Sequence, residues 1–328
     1  MPPSNHLNSF RSNFALSAAI ASKAGPIIFV LIASGVLAIC CLVTGIRFII
    51  APTIWLGVAV LFSVSFIYAR GARSLPISEM AYFGALWVCL TAVGVMFTYL
   101  AATLQYPLFD TQFSKLDGAV GFEWLVWYQY IESNRVINLA LGLAYATGVL
   151  QIIGAIFYFA HTKRSDRNRE LWWVAIISLL LTAGVSGILP AMGTFHYHNI
   201  GLERAVHLSD LLALRDGSKT TFHIQQMQGI ITLPSYHTVL AIVFIYVFRG
   251  IPIWFFVSMV LNILMLISTP SHGGHYLVDM IAGAAVAFVT IFLVRQLKRL
   301  SDSHVKPFST ALAGQYDVLS GNSSSKTS

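Results

Sequence analysis

Two short stretches carry side chains that could do chemistry: Pro234-Ser235-Tyr236-His237-Thr238 and His275-Tyr276-Leu277-Val278-Asp279. Each lies at the mouth of an apolar run. An ionisable group there is costly to bury and therefore reads as functional. His275 and Asp279 are four residues apart at the start of a helix and share one face. The carboxylate can hold one ring nitrogen of His275 and leave the other free to attack. His237 lies about one turn into its own helix. Two histidines can divide a phosphoester cleavage, one attacking phosphorus and the other protonating the departing oxygen. Ser235 is placed to cap a helical turn just after Pro234, and the free amides of such a helix end favour a phosphate. Gly273-Gly274 lets backbone approach a ligand closely just before His275.

The elements that must position these groups are membrane helices. The chain has 328 residues, is 56% hydrophobic and only 10% charged, and its mean hydropathy is +0.73. A soluble chain would carry about 25% charge. Eight stretches are near the roughly 20 apolar residues a span requires: Pro26–Ile50, Pro52–Ala69, Glu79–Leu104, Val136–Ala160, Leu171–Met192, Gly229–Phe248, Pro252–Thr269 and His275–Val294. The expected fold is an all-α polytopic bundle. No internal repeat is visible, which weakens a transporter reading. Cys40, Cys41 and Cys89 fall inside spans with no disulfide or metal spacing. No convincing cleaved leader precedes the first span.

The excess of Lys and Arg (20) over Asp and Glu (13) is read as topology rather than nucleic-acid binding. With the N-terminus in the cytoplasm, most of the 20 basic residues fall on that side, including the cluster Lys163, Arg164, Arg167 and Arg169, as the positive-inside rule requires. Both termini are then inside, and His237 and His275 start their spans on the outer face. Gln105–Arg135, with Phe109, Phe113, Trp124 and Trp127 among Asp110, Lys115, Asp117 and Glu123, reads as amphipathic helix at the interface. From about Ser301 the tail is polar and of low complexity, and is expected to be disordered.

Other readings compete. His237, His272, His275 and Asp279 are adequate in type and number for zinc, and His196-x-His198 is a weaker metal hint whose bland reading is a hydrated loop. Neither displaces the phosphoester reading, which needs no metal or other cofactor.

At these residues the chain resembles the type 2 phosphatidic acid phosphatase superfamily, related to vanadium haloperoxidases. The family's Pro-Ser-Gly-His stands here as Pro234-Ser235-Tyr236-His237. Its Ser-Arg-x5-His-x3-Asp stands as Ser268-Thr269, five residues, His275, three residues, Asp279. The resemblance implies His275 as nucleophile, His237 as general acid, Asp279 as the group orienting His275, and a six-helix core.

Two departures accompany it. Lys-x6-Arg-Pro is absent, since no Arg-Pro pair occurs in the chain, and Thr269 replaces the third-motif arginine. Both normally bind phosphate. Arg215 is the first candidate replacement, followed by Lys219 and Arg204, beside Ser235 and Gly274. The Ser-Thr-x5-His-Tyr-x2-Asp form looks like the inositol phosphorylceramide synthase branch, and the last part of it is similar to sphingomyelin synthases.

The resulting division is a cytoplasmic tail 1–25, a two-helix extension 26–78, a six-helix catalytic core 79–296 and a tail 297–328. The expected activity is cleavage of a lipid phosphoester at the non-cytoplasmic face of the plasma or inner membrane. Water or a lipid alcohol would be the acceptor. A non-catalytic lipid-phosphate binder or transporter on the same scaffold is the alternative, and vanadate-dependent oxidation is remote.

Overall fold

The computed structural model describes residues 22, 24–70 and 74–321, with side chains as far as Leu300. Almost all of the expected tail 1–25 lies outside them, as do residues 322–328 and Arg11, Lys23, Arg73 and Lys326 of the charge argument. Among the described residues there are thirteen α-helices and one pair of short strands. In order they are α1 (Gly25–Thr44), β1 (Arg47–Ile49), α2 (Pro52–Arg70), α3 (Leu75–Ala102), α4 (Asp110–Ala119), α5 (Trp124–Ser133), α6 (Arg135–Ala146), α7 (Gly148–His161), α8 (Ser165–Ile188), α9 (Thr194–Tyr197), α10 (Leu208–Asp216), β2 (Thr221–His223), α11 (Tyr236–Val247), α12 (Pro252–Gly273) and α13 (Leu277–Gly321). The protein is an all-α polytopic membrane bundle.

Six of these helices are long and apolar enough to cross a membrane, and α6 with α7 makes a seventh, bent by 49°. The sixth of the expected spans, Gly229–Phe248, is not one helix. Only Tyr236–Val247 is helical, and 12 residues reach about 18 Å, short of a hydrocarbon core of about 30 Å. The cause is local. Pro234 has no amide hydrogen and disfavours a helical Leu233, and Ser235 caps the helix that follows. Residues 229–235 thus enter as irregular backbone, which an apolar environment tolerates only where protein covers it. Leu233, Pro234 and Ser235 are all buried.

The contacts divide the chain into a large unit, Phe29–Ile291, and a second made of its two ends, whose described part is the start of α1 and α13 from Phe292 onward. Within the large unit α3 packs on α2, α7 and α8, while α11 packs on α8 and α12, and α12 on α6. Gly94 permits the close α3–α8 contact, since a Cβ there would sit 2.0 Å from Leu179 Cδ2. The Trp172 indole donates to the Leu86 carbonyl across the same seam (3.1 Å). β1 pairs in parallel with β2, tying the turn after α1 to the segment that leads towards Pro234. α13 is assigned as far as Gly321.

Candidate active site

The turn between α12 and α13 and the N-terminus of α11 meet at one end of the bundle. α12 ends on Gly274, whose φ of +65° is a left-handed cap that a side chain would strain. A Cβ at Gly274 would also strike the Phe195 ring at 2.5 Å. The next residue, His275, is 5% exposed. Its Nδ1 lies 3.2 Å from Asp279 Oδ2, and the same oxygen accepts the Tyr276 amide at 2.8 Å. Asp279 is fully buried, and its backbone carbonyl accepts the Ser235 amide (2.9 Å). That bond joins the two sequence motifs directly. Gly283, one turn further along α13, makes the approach possible, because a Cβ there would sit 2.5 Å from the Ser235 carbonyl oxygen.

Ser235 is buried, and its hydroxyl accepts the Thr238 amide (3.4 Å) as the cap of α11. His237 is partly exposed. Its Nδ1 is 3.1 Å from the Tyr145 hydroxyl, and the two rings stack with centroids 4.2 Å apart. A Cβ on Gly273 would fall 2.7 Å from Tyr145 Oη and 2.8 Å from His275 Cδ2. Tyr145 therefore lies between the two histidines. His237, Tyr145, His272 and Gly273 are the partly exposed members, and they rim the buried His275–Asp279 pair.

Two further acids hold the turn in place. Asp117 of α4 accepts the amides of Leu277 (2.7 Å) and Val278 (2.9 Å), the first two residues of α13, where a carboxylate also suits the helix dipole. Burial pushes its carboxyl up from the ordinary range, and the two amides partly offset this. Asp110, on the same helix, accepts the Met192 amide (3.0 and 3.1 Å to its two oxygens), the Gly193 amide (2.9 Å) and the Tyr276 hydroxyl (2.9 Å). Burial first and then the neighbouring Asp110 push the Tyr276 phenol up, so it serves as a donor. Phe113 lies between the two acids in sequence and packs on Tyr276 (5.8 Å, edge-on). The segment read as interfacial helix is thus two helices, and the acids of the first point into the site.

His207 donates from Nε2 to the Met192 carbonyl (3.4 Å). Burial pulls its imidazole below the usual value and neighbouring His275 adds to this, while the bond to Met192 opposes it. His272 is held at both nitrogens: Nε2 by Asn138 Oδ1 (3.0 Å) and Nδ1 by Ser271 Oγ (3.1 Å). Asn138 in turn donates to Glu132, which also accepts from Arg204 at 2.9 Å.

The expected phosphate ligands divide. Ser235 and Gly274 lie in the group just described. Arg215 and Lys219 make their contacts elsewhere: Arg215 donates to the Tyr106 carbonyl (2.9 Å), and Lys219 pairs with Asp210 (2.7 Å) over the Phe222 ring. Arg204 is committed to Glu132 and lies above the Tyr128 ring. The His196-x-His198 pair does not converge, because His196 is exposed while His198 stacks on Trp124 at 5.0 Å. Among the described residues no three His, Cys, Asp or Glu side chains are arranged as metal ligands would be.

The sequence reading singled out neither Tyr145 nor His207, and named Asp110 and Asp117 only as parts of an interfacial helix. A buried His–Asp pair thus lies beside a second, partly open histidine in an all-α membrane bundle. A family model of the PAP2 superfamily matches residues 111–293, more than half of the chain, and the chain belongs to that superfamily. No curated protein matches the chain, and no solved structure does. Membership points to a phosphatase-type lipid phosphoesterase acting on phosphorylated lipids.

Proposed function

We propose that the protein cleaves a lipid phosphoester through a phosphohistidine on His275. The observation that carries this reading is the 3.2 Å contact between His275 Nδ1 and Asp279 Oδ2, both residues buried. A carboxylate on Nδ1 fixes the tautomer that leaves Nε2 bare. The Nε2 lone pair attacks phosphorus, the P–O bond to the leaving alcohol breaks, and His237 gives its proton to that oxygen. Water then attacks the phosphohistidine, His237 takes its proton, and the P–N bond breaks to release phosphate and restore His275. Ser235, Gly274 and His207 are the proposed phosphate contacts. Arg215 and Lys219 are already engaged and would have to leave their partners to serve.

The face on which this happens follows from charge. α11 runs away from the site and α12 returns to it, so Arg249 between them lies at the far end, with Arg167 donating to its carbonyl (3.3 Å). Lys163, Arg164, Arg167 and Arg169 cluster at the turn between α7 and α8. Basic turns remain cytoplasmic, which supports a non-cytoplasmic site.

The test is release of phosphate from a panel of lipid phosphates and phosphodiesters by protein in nanodiscs, with and without a lipid alcohol acceptor, alongside His275→Ala. Turnover and an acid-labile protein phosphate, both lost in His275→Ala, are expected. Full turnover in that variant would refute the mechanism. Product that appears only with the lipid alcohol would assign the protein to headgroup transfer, the activity of the branch its Ser-Thr-x5-His-Tyr motif resembles. Binding without turnover across the panel would favour the non-catalytic alternative.

A further inference from the structure

We infer that Tyr145 is a positioning residue for His237. The inference rests on the reading of His237 as the acid–base partner of His275. His237 has no carboxylate on its Nδ1 in the way that His275 has Asp279. The Tyr145 hydroxyl occupies that position at 3.1 Å, and the tyrosine ring lies against the imidazole at 4.2 Å and 23°. The stack fixes the plane of the ring and the hydroxyl fixes its rotation within that plane, so Nε2 has one direction left.

The break in the bent span supplies this placement. Tyr145 is the penultimate residue of α6, and the chain turns by 49° between α6 and α7. Gly273 leaves room for the hydroxyl beside His275, since any Cβ there would come within 2.7 Å of Tyr145 Oη.

The proton accounting is consistent with the two steps. A tyrosine hydroxyl can accept as well as donate; with Tyr145 Oη accepting, His237 keeps its proton on Nδ1 throughout the cycle. The proton on Nε2 goes to the leaving oxygen in the first step, and bare Nε2 receives one from water in the second. A neutral imidazole free in water carries its proton mainly on Nε2, which is the wrong tautomer for that second step. Tyr145 selects the other one without placing a further charge in the site.

Tyr145→Phe keeps the ring and removes only the hydroxyl. Two readouts decide the matter. The first needs no substrate. Nitrogen-15 spectra of histidine-labelled protein, with His237 assigned by its own substitution, should show neutral His237 protonated at Nδ1 in the parent protein and at Nε2 in Tyr145→Phe. The same tautomer in both would overturn the inference.

The second readout is dependence on the leaving group. General acid–base catalysis is worth about 10²- to 10⁴-fold, and loss of orientation should forfeit about 10- to 100-fold of it in kcat on dioctanoyl phosphatidate, with KM unchanged. p-Nitrophenyl phosphate, whose leaving group departs without a proton, should lose about threefold or less. Equal losses on the two substrates would mark a merely structural tyrosine. Retained turnover in His275→Ala, or no turnover of either substrate by the parent protein, would instead overturn the underlying reading, and the tautomer measurement would still decide the placement of the proton on its own.

Discussion

Asp110→Ala tests whether α4 holds the site together. The Asp110 carboxylate, 9% exposed, receives three donors: the amides of Met192 and Gly193 and the Tyr276 hydroxyl. Tyr276 is fully buried and Met192 nearly so, so truncation leaves donors in a space that alanine does not fill. A buried donor left without a partner costs about 1–3 kcal/mol. Three of them set an upper figure near 9 kcal/mol, and water entering the vacated space lowers it to about 3–6 kcal/mol. At about 2–4 °C per kcal/mol for chains somewhat smaller than this one, the midpoint of thermal unfolding in nanodiscs should fall by roughly 6–24 °C. Asp110→Asn keeps one acceptor oxygen but sets an NH2 group against the remaining donors, and should fall between the parent and Asp110→Ala. Phosphate release, measured well below either midpoint, should drop in the same order, because Gly193 and Tyr276 flank Gly274 and His275. A midpoint within about 2 °C of the parent together with full turnover in Asp110→Ala would refute the clamp.

Two further outcomes follow from the same geometry. Gly283→Ala places a Cβ 2.5 Å from the Ser235 carbonyl oxygen, which is backbone and cannot swing aside. α13 and the Pro234–Ser235 turn must then separate, and a displacement near 1 Å at a reacting centre costs on the order of 100-fold. Turnover within twofold of the parent would show that the two motifs do not need this contact. His207 is held below its ordinary value chiefly by burial. The fold thus favours its neutral form, and the stability this contributes is full above the unfolded value of about 6.5 and is lost as pH falls. His207→Gln, which can still donate to the Met192 carbonyl, should show a shallower fall of the unfolding midpoint from pH 7 to pH 5. An unchanged slope would remove His207 from the acid response.

The difference between what the sequence made legible and what it hid lies in how far apart the interacting groups are. The fold class could be read because apolar composition and span length act over about 20 residues at a time. His275 and Asp279 could be paired because helical periodicity alone brings positions four apart together. Ser235 could be read as a cap for the same local reason. The sixth span was misjudged although its signals were present: Pro234 and Ser235 mark a helix start inside the apolar run, and averaging the hydropathy of 229–248 passed over them. The bend at Thr147 was lost in the same average, and with it the reason for a tyrosine at 145.

Asp110 and Asp117 were named only as polar members of an amphipathic interfacial helix, whose polar side faces water. In isolation that is where an acid among Phe109, Phe113 and Leu116 belongs. Only the docking of α4 over the turn before α13 turns them inward, and no residue within α4 encodes the amides of Met192 and Leu277 that they meet. Arg215 and Lys219 show the converse. A cation in a polar loop was taken to be available, whereas Asp210 and the Tyr106 carbonyl already engage it. In this chain the groups proposed to do chemistry are set by local spacing, and the groups that hold them are set by tertiary contact. Substitutions at Asp110, Asp117 and Gly283 should therefore cost activity as surely as those at the histidines.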